Sequence, residues 1–239
     1  DRTMPEEVNR VLTDAISDLL FVTEASAVEN LRREGIDGAK VHLVGNVMID
    51  TLERHRQKAA RSRVLSDLGL SAGAYAVVTL HRPSNVDDPA TFAGILAALE
   101  RIQEEMTVVF PVHPRAQKLF QACGLWERIQ GMRNIRTTEP LGYLDFLKLM
   151  SEARVVVTDS GGIQEETTIL GVPCLTVREN TERPVTLTEG TNRLVGTSTA
   201  RILTGFRSAM SEKVEPNRPV FWDGRASERI ADVLSRWSV

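Results

Sequence analysis

The run Asp159-Ser160-Gly161-Gly162 joins a β-branched stretch to a helical one, and two glycines there leave backbone N–H groups unshielded at the positive end of a helix dipole. Two readings fit these residues. They can seat a phosphate, or form a tight turn with Ser160 or Asp159 as an N-cap. A Walker loop is excluded, because no Gly-Lys-Ser/Thr ending follows, and so is a Gly-x-Gly-x-x-Gly fingerprint. In the helix that follows, spacing predicts an inward stripe of Ile163, Thr167 and Leu170, with Gln164, Glu165 and Thr168 toward solvent. Glu166 falls beside the stripe. Its carboxylate suits a ribose diol, which offers two hydroxyl donors, or it is simply a favourable anion near the helix start. Arg183, before Pro184, can meet a pyrophosphate or pair with Glu179 or Glu182. His81 and His113 each end an apolar strand pattern, where an imidazole can act on a ligand. His42 and His55 are given no role.

Elements that position these residues follow from periodicity. Short β-branched runs alternate with amphipathic stretches, the pattern of a parallel sheet covered by helices. Expected strands are Ala76 to Leu80, Val108 to Val112, Asn134 to Thr137, Val155 to Thr158, Cys174 to Val177 and Arg193 to Val195. Pro89 suits the first turn of one helix, while Gly171 and Pro173 end another. Polar turns follow the strands: His81-Arg82-Pro83-Ser84-Asn85, His113-Pro114-Arg115, Glu139-Pro140, Asp159 to Gly162, and Arg178 to Arg183. In an open α/β sheet, ligands bind beyond the carboxyl ends of strands, so these turns should rim one cleft.

Residues 1–45 predict a helix from Pro5 to Ser17, a strand Leu20 to Thr23, a helix through Arg33 and a strand Val41 to Val44. Two strands do not make a parallel sheet buried on both faces, so this part is expected to be the tail of a first α/β domain whose earlier strands are absent. Residues 46–70 read as a linking helix and 71–239 as one doubly wound domain.

With 239 residues, 42% hydrophobic, the chain can bury more than one core. A net charge of -3, with dispersed arginines, argues against nucleic acid as a partner. No apolar run approaches the roughly 20 residues that span a bilayer, so a cytoplasmic location is expected. Cys123 and Cys174 lack metal-ligand spacing, and neither a metal nor a disulfide is expected.

Four motifs, Thr79 to Asn85, Pro111-Val112-His113-Pro114, Thr158 to Glu166 and Thr181-Glu182-Arg183-Pro184, resemble the non-hydrolysing UDP-N-acetylglucosamine 2-epimerases. Met4 to Arg10 resembles the same family's mid-chain signature. The resemblance implies the two-domain fold of B-type glycosyltransferases, a cytoplasmic homodimer serving cell-envelope polysaccharide synthesis, and no cofactor. It implies inversion at carbon 2 of the sugar by elimination and re-addition of UDP. By the same resemblance, Ser160, Gly161 and Gly162 hold the diphosphate, Glu166 the ribose, and Arg183 and His81 the phosphate region, with Phe146 near the uracil. Glu6 and Arg10 match positions implicated in catalysis beside the sugar. Arg82 and His113 match contacts to an activating second molecule of UDP-N-acetylglucosamine. Where many members carry a glutamate that helps bind this activator, Ser84 stands here. The acids that members carry in the earlier part of the first domain have no counterpart, so this piece alone is expected to be inactive. A hydrolysing relative and a non-catalytic UDP-sugar-binding module are the competing expectations.

Overall fold

The computed structural model describes residues 5–212 and 217–237; Met4 and the side chain of Arg115 lie outside the described parts. Two compact units emerge, one from residues up to Thr51 and from Pro219 onward, the other from Leu52 to Arg218.

In the first unit, β1 (Leu20–Val22) and β2 (Val41–Leu43) pair in parallel, with Leu20 opposite Val41. Helices α1 (Pro5–Ile16) and α2 (Ala25–Arg33) surround this pair in sequence, and α3 (Val47–Ala59) begins in this unit and ends in the next. Leu20, Val22 and Leu31 form the centre of a small core.

The second unit holds α4 (Val64–Asp67), β3 (Tyr75–Thr79), α5 (Pro83–Val86), α6 (Pro89–Glu105), β4 (Thr107–Pro111), α7 (Pro114–Ala122), α8 (Leu125–Gln130) and β5 (Ile135–Thr138). It continues through α9 (Tyr143–Ser151), β6 (Val155–Thr158), α10 (Gly161–Leu170), β7 (Cys174–Thr176), α11 (Val185–Thr188), β8 (Asn192–Leu194) and α12 (Thr199–Ser211). The last helix, α13 (Ala226–Arg236), returns to the first unit.

Six parallel strands lie in the order β5-β4-β3-β6-β7-β8. The central strands read Val77, Val78 and Val155 to Val157, all fully buried, as both faces of a helix-covered parallel sheet require. Phe92 from α6 stacks on Phe120 from α7 at 3.8 Å between ring centres, closing one layer of this core. Pro89 opens α6 behind Asp88, whose carboxylate accepts the Thr91 N–H at 3.0 Å. Gly171 ends α10 at φ 73°, a left-handed position that suits glycine.

Two features differ from the expectation. The span 46–70 is not one linking helix: α3 stops at Ala59, a turn follows, and α4 is a single turn. Residues 219–239 group with the first unit rather than the second. The physical reason lies in side-chain ties. Asp50 accepts the N–H groups of Ala226 at 3.0 Å and Ser227 at 2.7 Å, capping α13 from α3. Trp222, almost fully buried, donates Nε1–H to the Thr23 carbonyl at 2.9 Å. Gly45, at φ 88°, lies where any Cβ would run into the Phe221 carbonyl, so the return of the chain depends on that glycine.

Candidate functional site at the switch point of the sheet

From β3 the chain moves outward through β4 to β5, then crosses back to β6 on the other side of β3. Strand order therefore reverses between β3 and β6, and the crevice at such a point is where an open α/β sheet binds ligands. The turn after β3 carries His81 and Arg82. The turn after β6 carries Asp159 and Ser160.

Asp159 joins these two turns. It is fully buried, and its carboxylate accepts the backbone N–H groups of His81 (3.1 Å) and Arg82 (2.9 Å) and the Asn85 side-chain amide (3.1 Å). The His81 imidazole lies with Nδ1 2.8 Å from the same carboxylate. Burial alone would raise the Asp159 pKa, but the His81 and Arg82 donors hold it below the ordinary value. His81 is shifted the other way: the bond to Asp159 raises its pKa, against the opposing effects of burial and of Arg82 and Arg178.

Ser160 occupies the N-cap position of α10, yet its side chain makes no capping bond, and Asp159 points to the β3 turn instead. The turn is therefore not a side-chain-capped helix start. By the geometry of any helix, the first N–H groups have no partner within it. Ser160, Gly161 and Gly162 are half-buried. The Arg183 stem passes over Gly161, with its Cγ 4.0 Å from where a Cβ would stand.

Among the described residues Arg183 forms no ion pair with Glu179 or Glu182, although its Nη1 donates to the Glu182 carbonyl at 3.2 Å. Its guanidinium meets the buried carboxylate of Glu165. Glu179 instead holds Arg201 at 2.8 Å, and Glu182 holds Arg178 at 2.7 Å and Arg82 at 3.2 Å. Arg178 beside it keeps the Glu182 carboxyl low, at about 2. The backbone of Arg183 is fixed by a short relay: its N–H donates to Thr181 Oγ1 at 3.0 Å, and Thr181 donates to Gln164 at 2.6 Å. Gln164 also accepts from Asn192 at 3.1 Å, so α10, β8 and the 178–183 turn share one buried polar network.

The expected solvent side of α10 is wrong as a consequence. Gln164, Glu165 and Thr168 are buried, while Ile163 and Leu170 are only half-buried. Polar groups go inside here because each meets another: Thr168 donates to the Gln164 carbonyl at 2.8 Å, and Glu165 meets Arg183. Glu166 is also buried. Tyr143 donates its hydroxyl to Glu166 at 3.0 Å, and burial raises the Glu166 pKa with help from the neighbouring Glu165.

The remaining candidates are placed as follows. Phe146 is half-buried on α9, the helix that also carries Tyr143. His113 is exposed at the end of β4. Glu6 and Arg10 lie on α1 of the first unit; Glu6 is exposed, and Arg10 is held by Glu7, Asp14 and Glu34 at 2.6 to 2.8 Å. Among the described residues there is no group of three or more His, Cys, Asp or Glu arranged to hold a metal ion. No described helix is long and apolar enough to cross a membrane. Sequence reasoning gave Tyr143 no role, offered Asp159 only as a helix cap, and put Gln164 and Glu165 on the solvent side. The one available signal was Asp159, an acid placed directly after an uninterrupted buried strand.

The family model for UDP-N-acetylglucosamine 2-epimerase matches residues 1–235. The chain belongs to that family. A protein named UDP-N-acetylglucosamine 2-epimerase from Methanocaldococcus jannaschii is 39% identical over 240 residues, covering 98% of this chain and 65% of the relative. The crystal structure of the Methanocaldococcus jannaschii UDP-GlcNAc 2-epimerase in complex with UDP-GlcNAc and UDP matches with a TM-score of 0.90 at 38% identity. It covers 99% of this chain and 66% of that one. A Pseudomonas aeruginosa protein named UDP-2,3-diacetamido-2,3-dideoxy-D-glucuronate 2-epimerase is 37% identical, covering 98% of this chain and 64% of the relative. The chain thus spans just under two thirds of the length of these curated relatives. Its fold is that of the family, α/β with a six-stranded parallel sheet.

Proposed function

We propose that the chain is the UDP-binding portion of a UDP-N-acetylglucosamine 2-epimerase. The supporting observation is the start of α10, where Gly161 lies under the Arg183 stem while Asp159 ties the adjacent turn to His81. Ser160, Gly161 and Gly162 offer backbone N–H groups to the diphosphate, and Arg183 and His81 add positive charge. Glu166 accepts the ribose hydroxyls, with Tyr143 fixing its carboxylate. Phe146 borders the uracil.

Chemistry follows from holding the leaving group. A base takes the proton from carbon 2, the carbon–hydrogen electron pair forms the second bond between carbons 1 and 2, and the bond from carbon 1 to oxygen breaks with its electrons on UDP. Re-addition of UDP, with proton delivery to the other face, completes the inversion. Charge that develops on the departing diphosphate is stabilised by groups already in place. Glu6 and Arg10 act beside the sugar. The whole protein works as a cytoplasmic homodimer in cell-envelope polysaccharide synthesis, and Arg82 with His113 contributes to binding a second, activating UDP-N-acetylglucosamine. No cofactor takes part.

A second reading of the substrate is favoured by the 37% identical relative named for a diacetamido-glucuronate sugar. Both share the UDP half. Calorimetry on this chain tests that half: UDP should bind, and Glu166→Ala and Arg183→Ala should each weaken it about tenfold or more, given roughly 1.5–3 kcal/mol for hydrogen bonds to charged groups. Unchanged affinity in both variants removes the site. Product analysis by NMR on the longer protein separates the two sugars, and free sugar in place of UDP-sugar would identify a hydrolase.

A further inference from the structure

His81 is the residue of the site whose usefulness depends on its proton, and the groups that set that proton are all visible. The side chain is 60% exposed, so packing alone holds the ring only loosely. The ring is tied by its Nδ1, which lies 2.8 Å from the Asp159 carboxylate. That carboxylate cannot turn away. It is fully buried and held by the N–H groups of His81 and Arg82 and by Asn85, which is in turn anchored to the Val177 carbonyl at 2.9 Å.

We propose that Asp159 is a positioning residue: from the end of β6 it binds His81 through Nδ1 and leaves Nε2 as the hydrogen-bond donor offered to a phosphate oxygen at the start of α10. This rests on the UDP reading and deepens it. A carboxylate on Nδ1 directs the neutral ring's proton to that nitrogen, so Nε2 carries a hydrogen only when the ring is cationic. The cationic form is the one suited to a diphosphate, and to the oxygen that gains charge as the bond to carbon 1 breaks. No net proton transfer is needed for that role. Of the charged groups that act on His81, Asp159 favours the cation, while Arg82 and Arg178 oppose it, each with its own charge partly met by Glu182. Asp159 therefore does for His81 what a surface imidazole lacks: it chooses the tautomer, and it keeps the ring charged to higher pH than its arginine neighbours alone would allow.

The test uses this chain with its imidazole nitrogens labelled, the four histidines being told apart with a His81→Gln reference. Long-range proton–nitrogen spectra over a pH series should show neutral His81 protonated on Nδ1 in the wild type. In Asp159→Asn, the His81 midpoint should fall, UDP affinity at neutral pH should drop about tenfold, as the loss of one charge-assisted hydrogen bond implies, and the loss of affinity with rising pH should begin lower. A folded Asp159→Asn protein with an unchanged His81 midpoint and unchanged UDP affinity overturns the proposal. If that variant does not fold, the wild-type spectrum still decides: neutral His81 protonated on Nε2 overturns it, and on Nδ1 supports it. Failure of the wild type to bind UDP sinks the nucleotide reading, whereas the midpoint shift alone still reports whether Asp159 governs His81.

Discussion

The two regions that carry candidate residues handle charge in opposite ways. At the switch point of the second unit, charged groups are buried and cross-linked between elements: Asp159 ties β6 to the turn after β3, and Glu165 ties α10 to the turn after β7. On α1 of the first unit, Glu6 is exposed and Arg10 pairs with Glu7 and Asp14 on its own helix and with Glu34 just past α2. No residue of α1 is buried. A buried charge must be compensated on the spot, so its partners are built in before any ligand arrives. An exposed charge can change partners at little cost. The proposed nucleotide seat of the second unit is thus built on ties already made in the fold, whereas the arginine of α1 is held by partly exposed contacts.

The strongest way to break this contrast is to remove the acid at the switch point. Asp159→Ala leaves the amides of His81, Arg82 and Asn85 without their acceptor in a buried place, and should cost about 3 kcal/mol, at the lower end of the range for breaking a buried charged pair. Urea unfolding measures it. A loss no larger than that of a surface substitution would mean the switch point is no more rigid than α1.

Glu166→Gln sharpens the contrast in a different direction. Burial raises the Glu166 pKa, so the folded state disfavours the ionised form. The sign follows: the penalty is absent below the ordinary carboxylate value of about 4.3 and grows as pH rises toward the folded value. A neutral amide keeps an acceptor for the Tyr143 hydroxyl and escapes the penalty. At neutral pH the variant should therefore unfold at slightly higher urea, by about 1 kcal/mol or less, while binding UDP more weakly. A variant that loses both stability and affinity would show that Glu166 is structural rather than a ribose ligand held at a cost in stability.

How far these features could be read in the sequence depends on what kind of signal they leave. Strands such as Val155 to Thr158 announce themselves, because a parallel strand buried on both faces must be a short β-branched run, and the eight expected strands fall within a residue of those observed. The positions of His81 and Ser160 just past strand ends follow from the same runs, and Arg183 lies in the turn that leads from β7 to α11. What sequence cannot show is a polar residue buried against a distant polar residue. The helical period of α10 separates apolar from polar positions, and Gln164 and Glu165 are polar, yet Thr181, Asn192 and Arg183 draw them inside. The return of residues from Pro219 to the first unit is hidden for a related reason. Asp50 capping α13 and Trp222 reaching Thr23 are single long-range ties, which no local period records.

The smallest expected effect tests the other half of the contrast. Arg10 has a pKa raised by its bonds to Glu7 and Glu34, which says only that the guanidinium stays charged. With the side chain 36% exposed, screening by solvent leaves each pair weak, and Arg10→Ala should cost about 1 kcal/mol or less in urea unfolding. UDP affinity of this chain should not change, because Arg10 belongs to the first unit and the proposed nucleotide contacts all belong to the second. If Arg10→Ala instead weakened UDP binding as much as Arg183→Ala, α1 would have to share in holding the nucleotide. The division between the proposed nucleotide seat and the partly exposed charges on α1 would then fail at its foundation, since the same ligand would depend on both.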